Sequence, residues 1–123
     1  MMLVPSLLKE SPIAGKGIFA AIPISKGTPV WEFTPQLDLA ISLETYQQLP
    51  PIQQEYLNIY TYFTEGNYYL CADHARFMNH ADDANTIEEG FRCLASRDIA
   101  EGEEITCNYF HFDDHARRKL GLE

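Results

Sequence analysis

The sequence lacks closely spaced cysteine pairs and long apolar runs, and each absence argues against a class of protein. Its three cysteines, Cys71, Cys93 and Cys107, lie far apart with no CxxC pair, so a disulfide framework is not expected and a reducing compartment is. No stretch approaches the roughly 20 apolar residues of a membrane span. The N-terminus also lacks the charged region and apolar run of a signal peptide. The sequence therefore predicts a cytoplasmic protein that does not associate with membranes.

Basic residues are also scarce. The chain has 9 Lys and Arg residues against 18 Asp and Glu residues, which gives a formal net charge of −9. Direct nucleic-acid binding is not predicted, because phosphate contacts need clustered Lys and Arg. An acidic surface can attract a basic partner such as a lysine-rich peptide, although the same charge can serve solubility alone.

The chain does contain enough apolar material for a core. Its 123 residues, 46% of them hydrophobic, suit a single domain over residues 1–123. Strand-length apolar runs, broken by Gly and Pro, occupy residues 3–11, 17–22, 28–33, 37–42, 67–72, 91–99 and 104–110. Because strands do not alternate with long helices, the sequence predicts a β-rich mixed fold and not a doubly wound parallel sheet.

Two short helices are predicted between these strands, over residues 42–60. Leu and Tyr recur there at helical spacing, Pro50 and Pro51 divide the two helices, and Ser42 is placed as the N-cap of the first. Residues 73–87 are predicted to form a polar loop. A short C-terminal helix within residues 112–121 has acidic residues early and basic residues late, which suits the helix dipole.

The stretch 76–85, RFMNHADDAN, combines a histidine with acidic neighbours and therefore raises the question of a metal site. A structural zinc site needs four closely spaced ligands, usually including cysteine, and none lies in this stretch. Cys107, His111 and His115 recur at four-residue intervals, as on a helix face. Because Cys107 lies in a predicted strand, that face is not expected to form, and no metal site is predicted.

Two further patterns, taken alone, are only weak evidence of a functional site. Gly15-Lys16-Gly17 is compatible with a close approach of the main chain to a ligand, and equally with a hairpin turn. Tyr109 ends the last predicted strand, where an aromatic residue often packs against its neighbours in the core.

Taken in order along the chain, these patterns resemble the SET domain of protein-lysine methyltransferases. The resemblance lies in Gly15-Lys16-Gly17 (GxG), in residues 76–80 with Asn85 (R-F-[IM]-N-H-S-x-x-x-N) and in residues 102–109 (G-E-E-[LI]-T-x-x-Y). It spans roughly residues 3–112, with a helical insert at about 42–60 and a short tail at 111–123. It implies a β-clip fold of several short curled sheets with a pseudoknot-like C-terminal crossing, which would bring Asn79 close to Tyr109.

The resemblance also implies an activity, which is methyl transfer from S-adenosylmethionine to a lysine side-chain amine of a protein. Tyr109 aligns with the catalytic tyrosine of the family, which orients the amine. Phe33, Tyr62 and Tyr69 would wall the lysine channel, with Cys107 beside the amine. The expected partner is a basic, lysine-containing protein or peptide.

The cofactor contacts that the resemblance implies lie in the first two motifs and just after the third. Lys16 and Gly17 would contact the methionine moiety of S-adenosylmethionine through their main chain, and Asn79 would bind its amino acid end through the side chain. His80 would pair with the adenine edge through its main-chain N–H and C=O. Phe110 would cover the adenine ring.

Several residues depart from the family pattern. Ala81 replaces the usual serine, and Phe33 and Pro35 replace an early tyrosine and glycine. Cys107 replaces a frequent aromatic residue, and a small group there predicts that the protein can add two or three methyl groups. These departures leave a second interpretation open, a non-catalytic SET-like module that binds S-adenosylmethionine or a basic peptide. A domain without flanking modules could also complete its substrate site as a homodimer.

Overall fold

Ten short strands dominate the computed structural model, which describes all 123 residues. They are β1 (Ser6–Glu10), β2 (Lys16–Ala20), β3 (Pro29–Glu32), β4 (Leu39–Ser42), β5 (Thr61–Thr64), β6 (Asn67–Leu70), β7 (Asn79–His80), β8 (Thr86–Glu88), β9 (Arg92–Ala95) and β10 (Glu104–Cys107). The strands form one four-stranded sheet, β1-β2-β10-β7, and two three-stranded sheets, β3-β9-β8 and β4-β6-β5. The predicted β-rich mixed fold with several small sheets is confirmed.

The two helices of the insert are also confirmed. Helix α1 spans Leu43–Gln48 and α2 spans Pro51–Tyr60. Ser42 caps α1, since its hydroxyl accepts a hydrogen bond from the Thr45 N–H at 3.1 Å. Proline is favoured at the first position of a helix because its missing N–H would have no partner there. No helix of the structure has the length and apolar character needed to cross a membrane.

Strand β5 was not predicted from the sequence, although it forms a tight hairpin with β6. The turn residues Glu65 and Gly66 both have positive φ angles, 52° and 79°, as a two-residue hairpin turn of the I′ type requires. Asn-Gly or Asp-Gly is the usual signal for that turn, and Glu-Gly is a weaker one. The hairpin places Tyr62 opposite Tyr69.

The segment predicted as a loop over residues 73–87 contains three ordered elements. A 3-10 turn spans His74–Phe77, and strands β7 and β8 follow it. Strand β7 pairs in parallel with β10, with Asn79 opposite Thr106 and His80 opposite Cys107. The loop prediction was wrong here because β7 has only two residues and its partner lies 27 positions later, so no local periodicity marks it.

The C-terminal predictions also need correction. Strand β10 ends at Cys107, so Tyr109 does not end the strand, and it begins a 3-10 turn, Tyr109–His111, in which Phe110 also lies. The predicted helix shortens to α3, Ala116–Lys119. Asn108 explains the change, because its side chain accepts a hydrogen bond from the Phe110 N–H at 3.0 Å and starts the turn.

The hydrophobic core lies where the sheets meet. Ile18 of β2, Val30 of β3 and Ile105 of β10 are fully buried there, together with Ile99 and Ala95. Alternation along each strand turns these residues inward. The same convergence places the last residues of β10 between the sheets, where the functional side chains collect.

The buried Asn85 holds β10 against the loop that precedes β8. Its side chain accepts a hydrogen bond from the Thr106 N–H at 2.9 Å and donates one to the Glu104 carbonyl at 2.8 Å. The Asn85 side chain therefore makes the main-chain hydrogen bonds that a neighbouring strand would otherwise make to Glu104 and Thr106 of β10. The second asparagine of the 76–85 stretch has a structural role.

Candidate active site

Tyr109 is held in place by hydrogen bonds to the segment Met78–His80, which crosses beside the C-terminal strand. Its hydroxyl donates a hydrogen bond to the Met78 carbonyl at 2.8 Å, and its N–H donates one to His80 Nδ1 at 3.1 Å. Burial raises the pKa of Tyr109, and the nearby Cys107 adds to the effect. The hydroxyl therefore stays protonated at neutral pH. Because Met78 and His80 flank Asn79, these two hydrogen bonds bring the segment of Asn79 close to Tyr109, as predicted.

A cavity of about 430 Å³ opens beside Tyr109. Tyr62, Tyr69 and Cys107, three of the predicted channel residues, line it together with Tyr109. The rings of Tyr62 and Tyr69 stack with centroids 5.0 Å apart, and Phe112 meets Tyr62 edge-on at 5.3 Å. The result is an aromatic wall with buried sulfur at Cys107.

Phe33 does not line this cavity, contrary to the prediction. It packs edge-on against Tyr69 at 5.2 Å and lies 6.3 Å from Phe91, measured between ring centroids. It therefore supports Tyr69 from behind. The prediction relied on position in the motif, and the neighbouring Trp31 lines the cavity in its place.

Several residues of the cavity wall were not found from the sequence. Phe112 and Lys119 come from the tail, and Glu88 ends strand β8, just after the segment predicted as a loop. Lys119 Nζ lies 4.7 Å from the centre of the Tyr109 ring and contacts Asp113 Oδ2 at 3.0 Å. No local motif marks these residues, because their place depends on the hairpin of β8 and β9 and on the docking of the tail.

Buried thiols and a carboxyl group give the cavity its remaining polarity. Burial raises the pKa values of Cys71 (to about 11), Cys93 and Cys107, so all three thiols stay protonated. Burial also raises the pKa of Glu88, against the opposing effect of a hydrogen bond from Cys93. The three thiols are unpaired, and none has the lowered pKa of an activated nucleophile.

A second cluster lies on the other side of Asn79. Asn79 Nδ2 donates to the Ala14 carbonyl at 3.0 Å, to the Lys16 carbonyl at 3.1 Å and to Glu104 Oε2 at 3.0 Å. A Cβ at Gly17 would overlap Glu104 Oε2 and lie 3.0 Å from Ser11 Cβ, so a larger residue there would displace the Glu104 carboxylate from this cluster. The structure thus brings together three residues that were predicted to contact the methyl donor: Lys16, Gly17 and Asn79.

The main chain of His80 faces the free edge of its sheet. Strand β7 is the edge strand, and the Ala81 N–H donates to the Cys107 carbonyl at 3.1 Å. In a parallel pair with His80 opposite Cys107, the N–H and C=O of His80 then point away from β10. Phe110, which is half-exposed, meets the His80 ring edge-on at 5.6 Å.

No group of three or more His, Cys, Asp or Glu side chains is arranged to hold a metal ion. Cys107 lies in β10, His111 in the 3-10 turn and His115 before α3. The four-residue spacing of these residues therefore does not correspond to one helix face.

The comparison with family models decides the assignment. The model described as "SET domain" matches residues 15–110. The chain belongs to the SET domain family. No curated protein sequence matches the chain.

Solved structures agree on the fold of this SET domain. One is a structure of Chaetomium thermophilum Polycomb Repressive Complex 2 bound to GSK126. The match covers 96% of this chain and 17% of the Polycomb chain, with 25% identity and a TM-score of 0.70. The same complex bound to S-adenosylmethionine, in an autoinhibited conformation, matches 96% of this chain and 16% of its own, at 24% identity and a TM-score of 0.66. The SET domain thus spans about a sixth of the Polycomb chains that it matches.

A smaller structural neighbour is a candidate histone methyltransferase of Plasmodium falciparum. It matches 88% of this chain and 95% of its own, with 19% identity and a TM-score of 0.60. Below 25% identity such a likeness shows the fold alone. The predicted family and fold are confirmed.

SET domains use S-adenosylmethionine as their methyl donor, and the cluster around Asn79 suits the chemistry of that molecule. The carbonyls of Ala14 and Lys16 and the carboxylate of Glu104 are acceptors, which fit the donor groups of an α-ammonium. The exposed main chain of His80 offers one donor and one acceptor, as an adenine edge requires. The residues present therefore fit this cofactor.

Proposed function

We propose that this SET domain transfers a methyl group from S-adenosylmethionine to a lysine side-chain amine of a protein. The observation that carries the proposal is the position of Tyr109. The Tyr109 hydroxyl lies beside an aromatic cavity. The segment Met78–His80, which Tyr109 contacts, also carries Asn79 and so connects Tyr109 to the acceptor-rich cluster around Asn79. An amine entering from the cavity and a cofactor held by the cluster would meet at this tyrosine.

The cofactor would be held by the main chain at Lys16 and Gly17, by Asn79 and Glu104, and by the main chain of His80. It would supply an electrophilic methyl group, so that an N–C bond forms while the C–S bond breaks and leaves its electron pair on sulfur. The protein supplies no nucleophile of its own. This agrees with the protonated state of the buried thiols.

Tyr109 is proposed to orient the amine. Because its hydroxyl donates to the Met78 carbonyl, its oxygen lone pairs are free to accept from N–H or weakly from C–H groups. Its raised pKa argues against a tyrosinate that removes a proton at neutral pH. Positioning of reacting groups alone can lower a barrier by several kcal/mol.

The proposed substrate is a basic, lysine-containing protein. The aromatic wall of Tyr62, Tyr69 and Phe112 suits the apolar stem of a lysine and a methylammonium head group. The net charge of −9 favours the approach of a basic segment. The Polycomb complex and the Plasmodium protein support this proposal only through the shared fold.

Cys107 is proposed to allow more than one methyl transfer per lysine. It is buried next to Tyr109 in the cavity wall and is much smaller than the aromatic residues around it. Mass spectrometry of a methylated protein substrate should therefore show dimethyl- and trimethyllysine. Strict monomethylation by the native protein over an extended time course would contradict this prediction.

Transfer can be separated from binding alone. Calorimetry should detect S-adenosylmethionine binding, and tritium from a labelled methyl group should appear on basic proteins such as total histones or ribosomal proteins. Binding without transfer across such a panel would favour the alternative, a non-catalytic module. Absence of both would contradict the proposal.

Three wider features also stand as proposals. The chain is proposed to act as one domain and, with its three unpaired cysteines, to work in a reducing compartment such as the cytoplasm. A homodimer that completes the substrate site is proposed as well. Sedimentation at micromolar concentration would reveal it as a species of twice the monomer mass.

A further inference from the structure

Glu88 is the one carboxylate that the fold shields within the cavity wall. Of the two acidic residues that line the cavity, Glu65 lies exposed on the hairpin turn, whereas Glu88 is largely shielded. Alternation along β8 puts Glu88 on the same face as Thr86, whose hydroxyl donates to the Thr106 carbonyl at 2.7 Å. That face therefore points toward β10, the strand that carries Cys107.

Glu88 accepts one hydrogen bond but has no cationic partner. Cys93 lies opposite it in the β8–β9 pair, and the thiol donates to Glu88 Oε1 at 3.0 Å. None of the ion pairs in the structure includes Glu88. Lys119, the nearest candidate from the tail, is held by Asp113 Oδ2 at 3.0 Å and by the Thr61 carbonyl at 2.7 Å. Arg76 also lines the cavity, but its guanidinium donates to main-chain carbonyls.

A second observation points to a ligand at the same place. The Tyr62 hydroxyl is the one buried side-chain polar atom of the structure without a hydrogen-bond partner. Tyr62 lines the cavity together with Glu88. Burial is the largest cause of the raised pKa of Tyr62, followed by Cys71 and Tyr69, and the Glu88 charge adds to it. A hydroxyl without a hydrogen-bond partner and a carboxylate without a cationic partner, in one cavity, suit a ligand that carries several N–H donors.

The proposed reaction leaves a proton to be placed. Lysine in water is an ammonium ion, and only its neutral amine can accept a methyl group. Tyr109, Tyr62, Cys93 and Cys107 all hold their own protons, because burial raises the pKa of each. Three other groups that can accept a proton line the cavity: His111 and Glu65, which are both exposed, and Glu88, which is not.

We propose that Glu88 and the Tyr62 hydroxyl form the ammonium-binding end of the lysine channel, and that Glu88 accepts the proton that the substrate lysine must lose. In that step an N–H bond of the ammonium breaks, its electron pair stays on nitrogen, and an O–H bond forms on Glu88. The products are a neutral amine and a neutral carboxylic acid, which an apolar cavity favours over an ion pair. Glu88 returns its proton to solvent when the product leaves. This role depends on the proposed methyl transfer.

The binding half of the proposal can be tested without any turnover. n-Butylammonium chloride imitates the end of a lysine, and 1-butanol imitates it without charge, so each can be titrated by NMR against the native protein. The Glu88→Gln variant should bind n-butylammonium about tenfold more weakly or worse, as expected for a lost hydrogen bond to a charged group. Its affinity for 1-butanol should not change.

Glu89→Gln is the matched control. Glu89 is the neighbouring residue, is exposed, and pairs with Arg92 at the surface, so this variant changes the net charge equally but leaves the cavity as it was. It should bind n-butylammonium like the native protein. Equal losses in both variants, no loss in Glu88→Gln, or no binding of n-butylammonium to the native protein would overturn the proposed ammonium site.

The proton-transfer half is tested by the pH profile of methyl transfer to total histones. Near neutral pH, Glu88→Gln should be slower by about tenfold or more, in the range of general-base effects. The difference should narrow as pH rises, because lysine then arrives already neutral from solution. A slower rate with an unchanged pH profile would contradict proton acceptance by Glu88. If the native protein transfers no methyl group, the proposed function itself fails and proton acceptance fails with it, while the binding experiment still decides the ammonium site.

Discussion

His80 takes part in the site through both its ring and its main chain. Nδ1 of the ring accepts a hydrogen bond from the Tyr109 N–H, and Nε2 lies 2.8 Å from Asp82 Oδ1. The resemblance assigned only its main chain a function, in cofactor binding. The ring contact shows that His80 also fixes the 3-10 turn that carries Tyr109.

We therefore expect His80→Ala to reduce methyl transfer by about tenfold or more, because small displacements of a positioning residue have large effects on rate. The affinity for S-adenosylmethionine should change less, since the main chain at position 80 remains. Rate and affinity can be measured separately by radiometric assay and calorimetry. Asp83→Asn is the control, because Asp83 is 98% exposed and pairs with Arg97, so its change should have little effect. Equal effects of the two variants on rate would contradict a role for the ring.

Glu88 should make the stability of the protein depend on pH. Burial raises its pKa in the folded state, so its favourable contribution is present below the unfolded-state pKa and is lost as pH rises through the folded-state value. Glu88→Gln should therefore melt at about the native temperature near pH 4 and at a higher temperature than native near pH 7.5. Calorimetric melting at both pH values tests this, with Glu89→Gln as the control. A variant less stable than native at pH 7.5 would contradict the prediction.

The residues that sequence reasoning placed correctly are those with a fixed order along the chain. Asn79 and Tyr109 belong to such motifs, and the structure brings their segments into contact. Glu88 and Phe112 reach the cavity only after β8 pairs with β9 and the tail docks. Phe33 was misplaced because position in a motif does not say which of two nearby aromatic residues, Trp31 or Phe33, lines the cavity.

At the scale of elements, the sequence predicts those whose signals lie within a few residues and misses those that depend on pairing with distant residues. Helices α1 and α2 were predicted because spacing, proline and the Ser42 cap lie within a few residues of one another. Strand β7 was missed because it pairs with a strand far along the chain. Strand β5 was missed because its turn, Glu65-Gly66, lacks the usual residues.

The C-terminal tail is attached to the hairpin through one buried carboxylate. Asp113 Oδ1 accepts from the Phe63 N–H at 3.1 Å and from the His115 N–H at 2.9 Å, and Oδ2 contacts Lys119 Nζ at 3.0 Å. The side chain of Asp113 is fully buried. Asp113 therefore helps to hold Lys119 and the turn near Phe112 against the hairpin, together with the bond from Lys119 to the Thr61 carbonyl.

Asp113→Asn should lower the free energy of unfolding by about 2 kcal/mol, because an amide donor would then face the buried Lys119 ammonium. Limited proteolysis should also cut the tail faster, since its attachment to β5 is weakened. Asp114→Asn is the matched control, an exposed neighbour with the same change of charge. Urea unfolding of the three proteins provides the measurement. Similar stabilities of the two variants would contradict the proposed attachment.

At the scale of the whole molecule, the three sheets converge so that one short segment separates two chemically different sites. Met78 lines the aromatic cavity together with Glu88, and the Asn79 side chain donates to the acceptors of the cofactor cluster. Tyr109 contacts this segment from the 3-10 turn that follows β10. The central claim is that an amine and a methyl donor meet at this tyrosine.

The most direct test of that claim is methyl transfer by the native protein and by Tyr109→Phe. Both should bind S-adenosylmethionine with affinities within about threefold of each other, because the variant keeps the ring and the cofactor cluster. Native protein should label basic proteins from tritiated cofactor, and the variant should do so about tenfold more slowly or worse. No label from the native protein, or equal labelling by both, would contradict the account.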